Sequence, residues 1–82
     1  MADLARIQVE LPEDQLKELE RLQGDLGLRT KKELLNAALG LLEWYVRQRR
    51  QGRVIVSVNH DEKTYRELSF PPLDRIKPDV AA

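Results

Sequence analysis

The chain has 82 residues, with 14 basic and 14 acidic side chains, no cysteine and a single histidine, His60. No disulfide can brace so short a polypeptide, and a thiolate zinc site, a thiol nucleophile and a histidine metal cluster within one chain are all excluded. One domain of this size sits near the lower limit for burying its own core, where oligomerisation is a common remedy.

The zero net charge hides a segregation. Residues 1–28 carry three basic against seven acidic side chains, residues 29–53 carry seven against two, and residues 54–82 carry four against five. Local field steers an anion more than total charge does, so the middle stretch is the anion-facing part. The apolar runs fall far short of the roughly 18 residues of a membrane span. Met1 to Arg6 lacks the basic-then-apolar order of a signal peptide. A cytoplasmic protein with no membrane contact is expected.

Ala5-Arg6-Ile7-Gln8-Val9-Glu10-Leu11 alternates apolar and polar residues, the period of a half-buried strand. Ala5, Ile7, Val9 and Leu11 share one face, and Arg6, Gln8 and Glu10 the other. Pro12 ends the strand and suits the first turn of a helix, with Glu13 and Asp14 near the positive end of its dipole. Leu16, Leu19, Leu22 and Leu26 then form one narrow helical stripe. Gly24 weakens the last turn, and Gly27 is the better stop, because glycine takes the left-handed conformation that follows many helices.

Thr30-Lys31-Lys32-Glu33 reads as a capping box that opens a helix running to about Gln51. Leu34, Leu35, Ala37, Ala38, Leu39, Leu41, Leu42, Tyr45 and Val46 cover most of its circumference. A helix apolar nearly all round must be buried nearly all round, which one short helix and one strand cannot achieve in a monomer. Trp44 and Tyr45 are read as core or interface residues, and Arg47, Arg49 and Arg50 as charges suited to the negative end of the helix, which Gly52 stops. Arg53–Val58 predicts a second strand, Asn59–Lys63 a turn and Thr64–Phe70 a returning strand ended by Pro71-Pro72. Leu73 to Ala82 reads as a frayed tail or one ordered on contact. His60 is a solvated turn residue.

The order of amphipathic strand, Pro-initiated helix, Gly-containing turn and capped helix resembles the ribbon-helix-helix family of bacterial and phage DNA-binding proteins. Arg6-Ile7-Gln8-Val9-Glu10-Leu11-Pro12 and Gly27-Leu28-Arg29-Thr30-Lys31-Lys32-Glu33-Leu34 carry the resemblance, which covers residues 5–50. It implies a mainly α fold with one short β-strand and an intertwined obligate homodimer over residues 1–51; residues 52–82, read above as a C-terminal β-hairpin and tail, belong to no part of the family pattern and are appended to it. It further implies a repressor-like transcription regulator whose two strands, one per chain, pair into an antiparallel ribbon in the major groove of double-stranded DNA. On that reading Arg6, Gln8 and Glu10 face the bases, where Arg suits guanine, Gln adenine and Glu the amino group of cytosine. Arg29, Thr30, Lys31 and Lys32 grip phosphate at a helix N-terminus. Ile7, Val9, Leu11, Leu34, Leu35, Ala38, Leu39 and Leu42 form the dimer core.

Plainer readings accompany these. In a ribbon centred on Gln8, Arg6 of one chain lies opposite Glu10 of the other, as a cross-strand ion pair. Thr30 and Glu33 cap the helix whether or not phosphate binds. Lys31 and Lys32, however, oppose the dipole and are better explained by an external anion. The apolar strand after Gly52 either packs on or across the dimer or awaits a protein partner through residues 53–70, which gives a second reading as an antitoxin-like or adaptor module. With no Gly-rich phosphate loop after a strand and no clustered acid pair, the chain is not expected to be an enzyme, nor to carry a metal or cofactor.

Overall fold

A computed structural model describes residues 3–79. Two α-helices, α1 (Glu13–Asp25) and α2 (Lys31–Arg50), are followed by a two-stranded antiparallel sheet, β1 (Val56–Asn59) and β2 (Thr64–Glu67), and by a 3-10 helix over Pro71–Arg75. The chain divides into two units, Met1–Leu35 and Asn36–Ala82, with α2 running from the first into the second.

In the first unit, α1 begins one residue later than expected. Pro12 is not in the first turn but is its N-cap, in extended backbone (φ −55°, ψ 150°), and its carbonyl accepts the Leu16 amide at 3.0 Å. Proline has no side-chain acceptor, so no side chain caps the helix, and Glu13 and Asp14 in the first turn supply the dipole's counter-charge. Two backbone bonds close the other end: Gly27 donates to Gly24 and Leu28 to Gln23, both at 3.0 Å, with Gly27 at φ 70°. This is a Schellman motif, and the left-handed residue it requires is the glycine singled out above. The Gln23 side chain adds a 3.4 Å bond to the Leu28 carbonyl. Leu34 is the buried residue of this unit, 8% exposed, and Leu11, Leu19 and Leu28 are half-buried.

The predicted strand at Ala5–Leu11 is not formed in the single chain: these residues lie outside any helix or strand, with Ile7 77% and Val9 69% exposed. The physical reason is that a strand exists only through backbone pairing, and no other segment of the described residues pairs with this one.

In the second unit, the end of α2 repeats the arrangement of α1. Gly52 (φ 78°) donates to Arg49 at 2.9 Å and Arg53 to Gln48 at 3.0 Å, and the Gln48 side chain accepts from Arg53 at 3.2 Å. The hairpin is shorter than expected. Its register pairs Val56 with Glu67, Ser57 with Arg66, Val58 with Tyr65 and Asn59 with Thr64. The Leu68 amide extends the ladder by donating to the Ile55 carbonyl at 2.7 Å. Asn59 Oδ1 organises the turn by accepting the amides of Asp61 (3.1 Å) and Glu62 (3.2 Å), and Lys63 closes it at φ 56°.

Of the two expectations for the segment after Pro71-Pro72, a frayed tail or one ordered on contact, the structure has the ordered one over Pro71–Arg75. The two prolines open the 3-10 helix instead of merely ending a strand, and Leu73 within it is 7% exposed. The Asp79 amide donates to the Arg50 carbonyl at 2.8 Å, satisfying an acceptor that the helix end would leave free. Residues 80–82 of the expected tail lie outside the described residues.

A Cβ built at Gly24, Gly27 or Gly52 meets nothing within 4 Å, so backbone conformation alone separates these positions. Gly27→Ala and Gly52→Ala should each lower stability by about 1 kcal/mol, the cost of a left-handed non-glycine residue. Gly24→Ala, inside α1, should raise it by up to about 1 kcal/mol. Urea unfolding of the three variants reads the opposite signs directly.

Candidate nucleic-acid interface

Arg29, Thr30, Lys31 and Lys32 are exposed and consecutive at the start of α2. The Glu33 amide donates to Thr30 Oγ1 at 3.0 Å, as the capping box requires. Its reciprocal half differs from the standard form: Glu33 Oε2 accepts the Arg29 amide at 3.2 Å, one residue before the cap. The Leu34 amide donates to the Thr30 carbonyl at 3.2 Å. Among the described residues, no hydrogen bond engages the Lys31 or Lys32 amide in the first turn. The Glu33 carboxylate is turned back onto backbone, so those two donors remain available at the positive end of a 20-residue helix.

The two lysines are not equivalent. Lys31 Nζ lies 3.5 Å from Glu20 Oε2, so α1 supplies a counter-charge for a cation that opposes the α2 dipole. Sequence inspection missed this pair because Glu20 lies on a different helix, and no local spacing rule joins the two. Both side chains are more than half exposed, so the pair contributes a few tenths of a kcal/mol and yields readily to salt or to a competing anion. Lys32 and Arg29 have no carboxylate within salt-bridge distance among the described residues. Arg21, by contrast, pairs with Glu18 along α1.

Arg6, Gln8 and Glu10 are exposed, and none makes a side-chain hydrogen bond or ion pair among the described residues. The structure therefore joins the four α2-terminal residues in one cluster and leaves the three strand residues separate from any partner.

Of the expected dimer-core residues, Leu34 is buried and Leu11 half-buried within the chain. Ile7, Val9, Leu35, Ala38, Leu39 and Leu42 are exposed. Leu39, Leu42 and Val46, with Glu43, Arg47 and Arg50, line an open groove of about 340 Å³ along α2. Trp44 is exposed and Tyr45 half-buried, their rings 5.6 Å apart and tilted by 53°.

Among the described residues no helix is long and apolar enough to cross a membrane, and no group of three or more His, Asp or Glu side chains is placed to hold a metal ion. No protein-family profile, curated protein or solved structure matches the chain.

Thr30→Ala removes the acceptor of the Glu33 amide and should cost about 1 kcal/mol, while Thr30→Ser should keep nearly all of it. Thermal or urea unfolding of the pair separates loss of the cap from loss of the methyl group.

Proposed function

We propose that the chain acts as a homodimeric, sequence-specific DNA-binding transcription regulator of ribbon-helix-helix type. The observation that carries the reading is the start of α2. There, among the described residues, the Lys31 and Lys32 amides are unengaged, Lys32 and Arg29 are exposed without a carboxylate partner, and Glu33 is folded back onto the Arg29 amide. Backbone donors at a helix N-terminus flanked by cations are the chemistry of a phosphate grip. The exposed Leu35, Leu39 and Leu42 support the dimer, because surface of this kind on a charged 82-residue chain calls for a second copy to cover it.

On this reading each N-terminal segment gains, from its symmetry mate, the strand partner it lacks within its own chain. The ribbon turns Ile7, Val9 and Leu11 toward the helices and Arg6, Gln8 and Glu10 toward the groove, whose width admits two strands. Arg6 and Glu10 then neutralise one another across the ribbon, so Gln8 is left as the principal reader. The α2 ends supply attraction, and Glu20 releases Lys31 as phosphate arrives.

Band shifts on DNA from the chain's own upstream region test this. Binding should weaken steeply as salt rises. Lys32→Glu should weaken binding to every sequence alike and flatten the salt slope by about one for each phosphate no longer neutralised. Gln8→Ala should cost roughly 1–3 kcal/mol at the best site and little elsewhere. A folded dimer that shifts no DNA at low ionic strength would sink the reading.

A further inference from the structure

The hairpin has two unlike faces and two unlike edges. Its register places Val56, Val58, Tyr65 and Glu67 on one face, and Ser57, Asn59, Thr64 and Arg66 on the other. Both strands are exposed throughout, Val58 at 52% and Tyr65 at 73%. The Leu68-to-Ile55 bond fixes which backbone groups are used. Antiparallel bonding alternates, so Ile55, Ser57 and Asn59 face β2 while the amides and carbonyls of Val56 and Val58 point out along the free edge of β1.

That edge has no protection. No Asp, Glu, Lys or Arg occurs between Arg53 and Asp61, and no proline interrupts Val54-Ile55-Val56-Ser57-Val58. In a chain with 34% charged residues this neutral, β-branched run stands apart. The outer strand β2, by contrast, carries Arg66 and Glu67 and follows Lys63, the kind of charged residue by which natural edges are kept from pairing.

We infer that the β1 edge pairs, antiparallel and across a two-fold axis at Ser57, with the β1 edge of a second copy, giving a four-stranded sheet in the order β2-β1-β1-β2. Val56 then exchanges both backbone bonds with Val58 of the second copy, and the two Ser57 residues stand opposite each other. A two-fold contact must be self-complementary, and an uncharged stretch satisfies this because no like charges meet across it. The copies carry no net charge, so they do not repel at long range. Two strands alone are marginal in water, and four strands sharing an apolar face of Val56, Val58 and Tyr65 are not.

This pairing does not rest on DNA binding, and the absence of native cysteine makes it directly readable. In the proposed register the Ser57 Cα atoms would stand about 4.5 Å apart, within the range that a disulfide spans. Full-length Ser57→Cys, oxidised at low micromolar concentration, should run mostly as a two-chain species on a non-reducing gel. Arg66→Cys, on the same face of β2, should not. Val58→Pro removes an outward amide without touching the β1–β2 ladder. Combined with Ser57→Cys it should reduce the cross-link at least tenfold. A Ser57→Cys chain that cross-links no better than Arg66→Cys would overturn the inference, as would a cross-link that Val58→Pro leaves undiminished. Gln8→Cys reports the N-terminal ribbon separately, so failure of one pairing is distinguishable from failure of the other.

Discussion

The governing constraint is apolar surface that one copy of the chain does not cover. Leu34 in the first unit and Leu73 in the second are the only buried hydrophobic residues among those described, while Ile7, Val9, Leu39, Leu42, Val56 and Val58 remain in contact with solvent. Folding orders some eighty residues at roughly 1–2 kcal/mol each in backbone entropy, a cost that two buried leucines cannot offset. The local structure does what it can. Two Schellman motifs, a capping box and an Asn-organised turn satisfy the backbone without a core. The proposed dimer and the proposed β1 pairing would each cover part of the apolar surface left exposed.

Features encoded within a few residues were legible in the sequence, and features encoded across elements were not. Thr30 and Glu33 mark the start of α2 because cap and acceptor lie three positions apart, and the structure has that bond. Gly27 and Gly52 mark both helix ends because only glycine takes their positive φ without strain. The hairpin followed from a β-branched run, Val54–Val58, ahead of a turn rich in polar residues. Pro71-Pro72, however, reads equally as a stop and as a 3-10 start, and Leu73's burial among non-adjacent residues decided between them. The pairing of Lys31 with Glu20 was hidden for the same reason. The alternation at Ala5–Leu11 is a third case, since a period of two states which face would be buried but not what would bury it.

The repeated use of glutamine at the helix ends is a finer example. Gln23 and Gln48 occupy the same position in the two C-terminal motifs, and each bonds the residue that follows the left-handed glycine, through the Leu28 carbonyl in one case and the Arg53 side chain in the other. A hydrophobic contact more often fills this place. Here a half-buried glutamine performs the same fastening with a hydrogen bond.

Electrical neutrality is the strongest objection to a polyanionic partner, and the charge distribution answers it. The acidic side chains of α1 lie largely outside the stretch that would meet phosphate, whereas residues 29–53 hold seven cations against two anions. Of those two anions, Glu33 is occupied with the Arg29 amide. Glu20 of α1 neutralises Lys31 only through an exposed contact that a phosphate oxygen could replace at little cost. A molecule with zero net charge and a local excess of this kind would bind DNA weakly away from its site, because non-specific affinity follows the number of phosphates neutralised. On the proposed reading, discrimination would then fall to the few groups that face the bases, and Gln8 would carry a larger share of specificity than a more basic protein needs from any one residue.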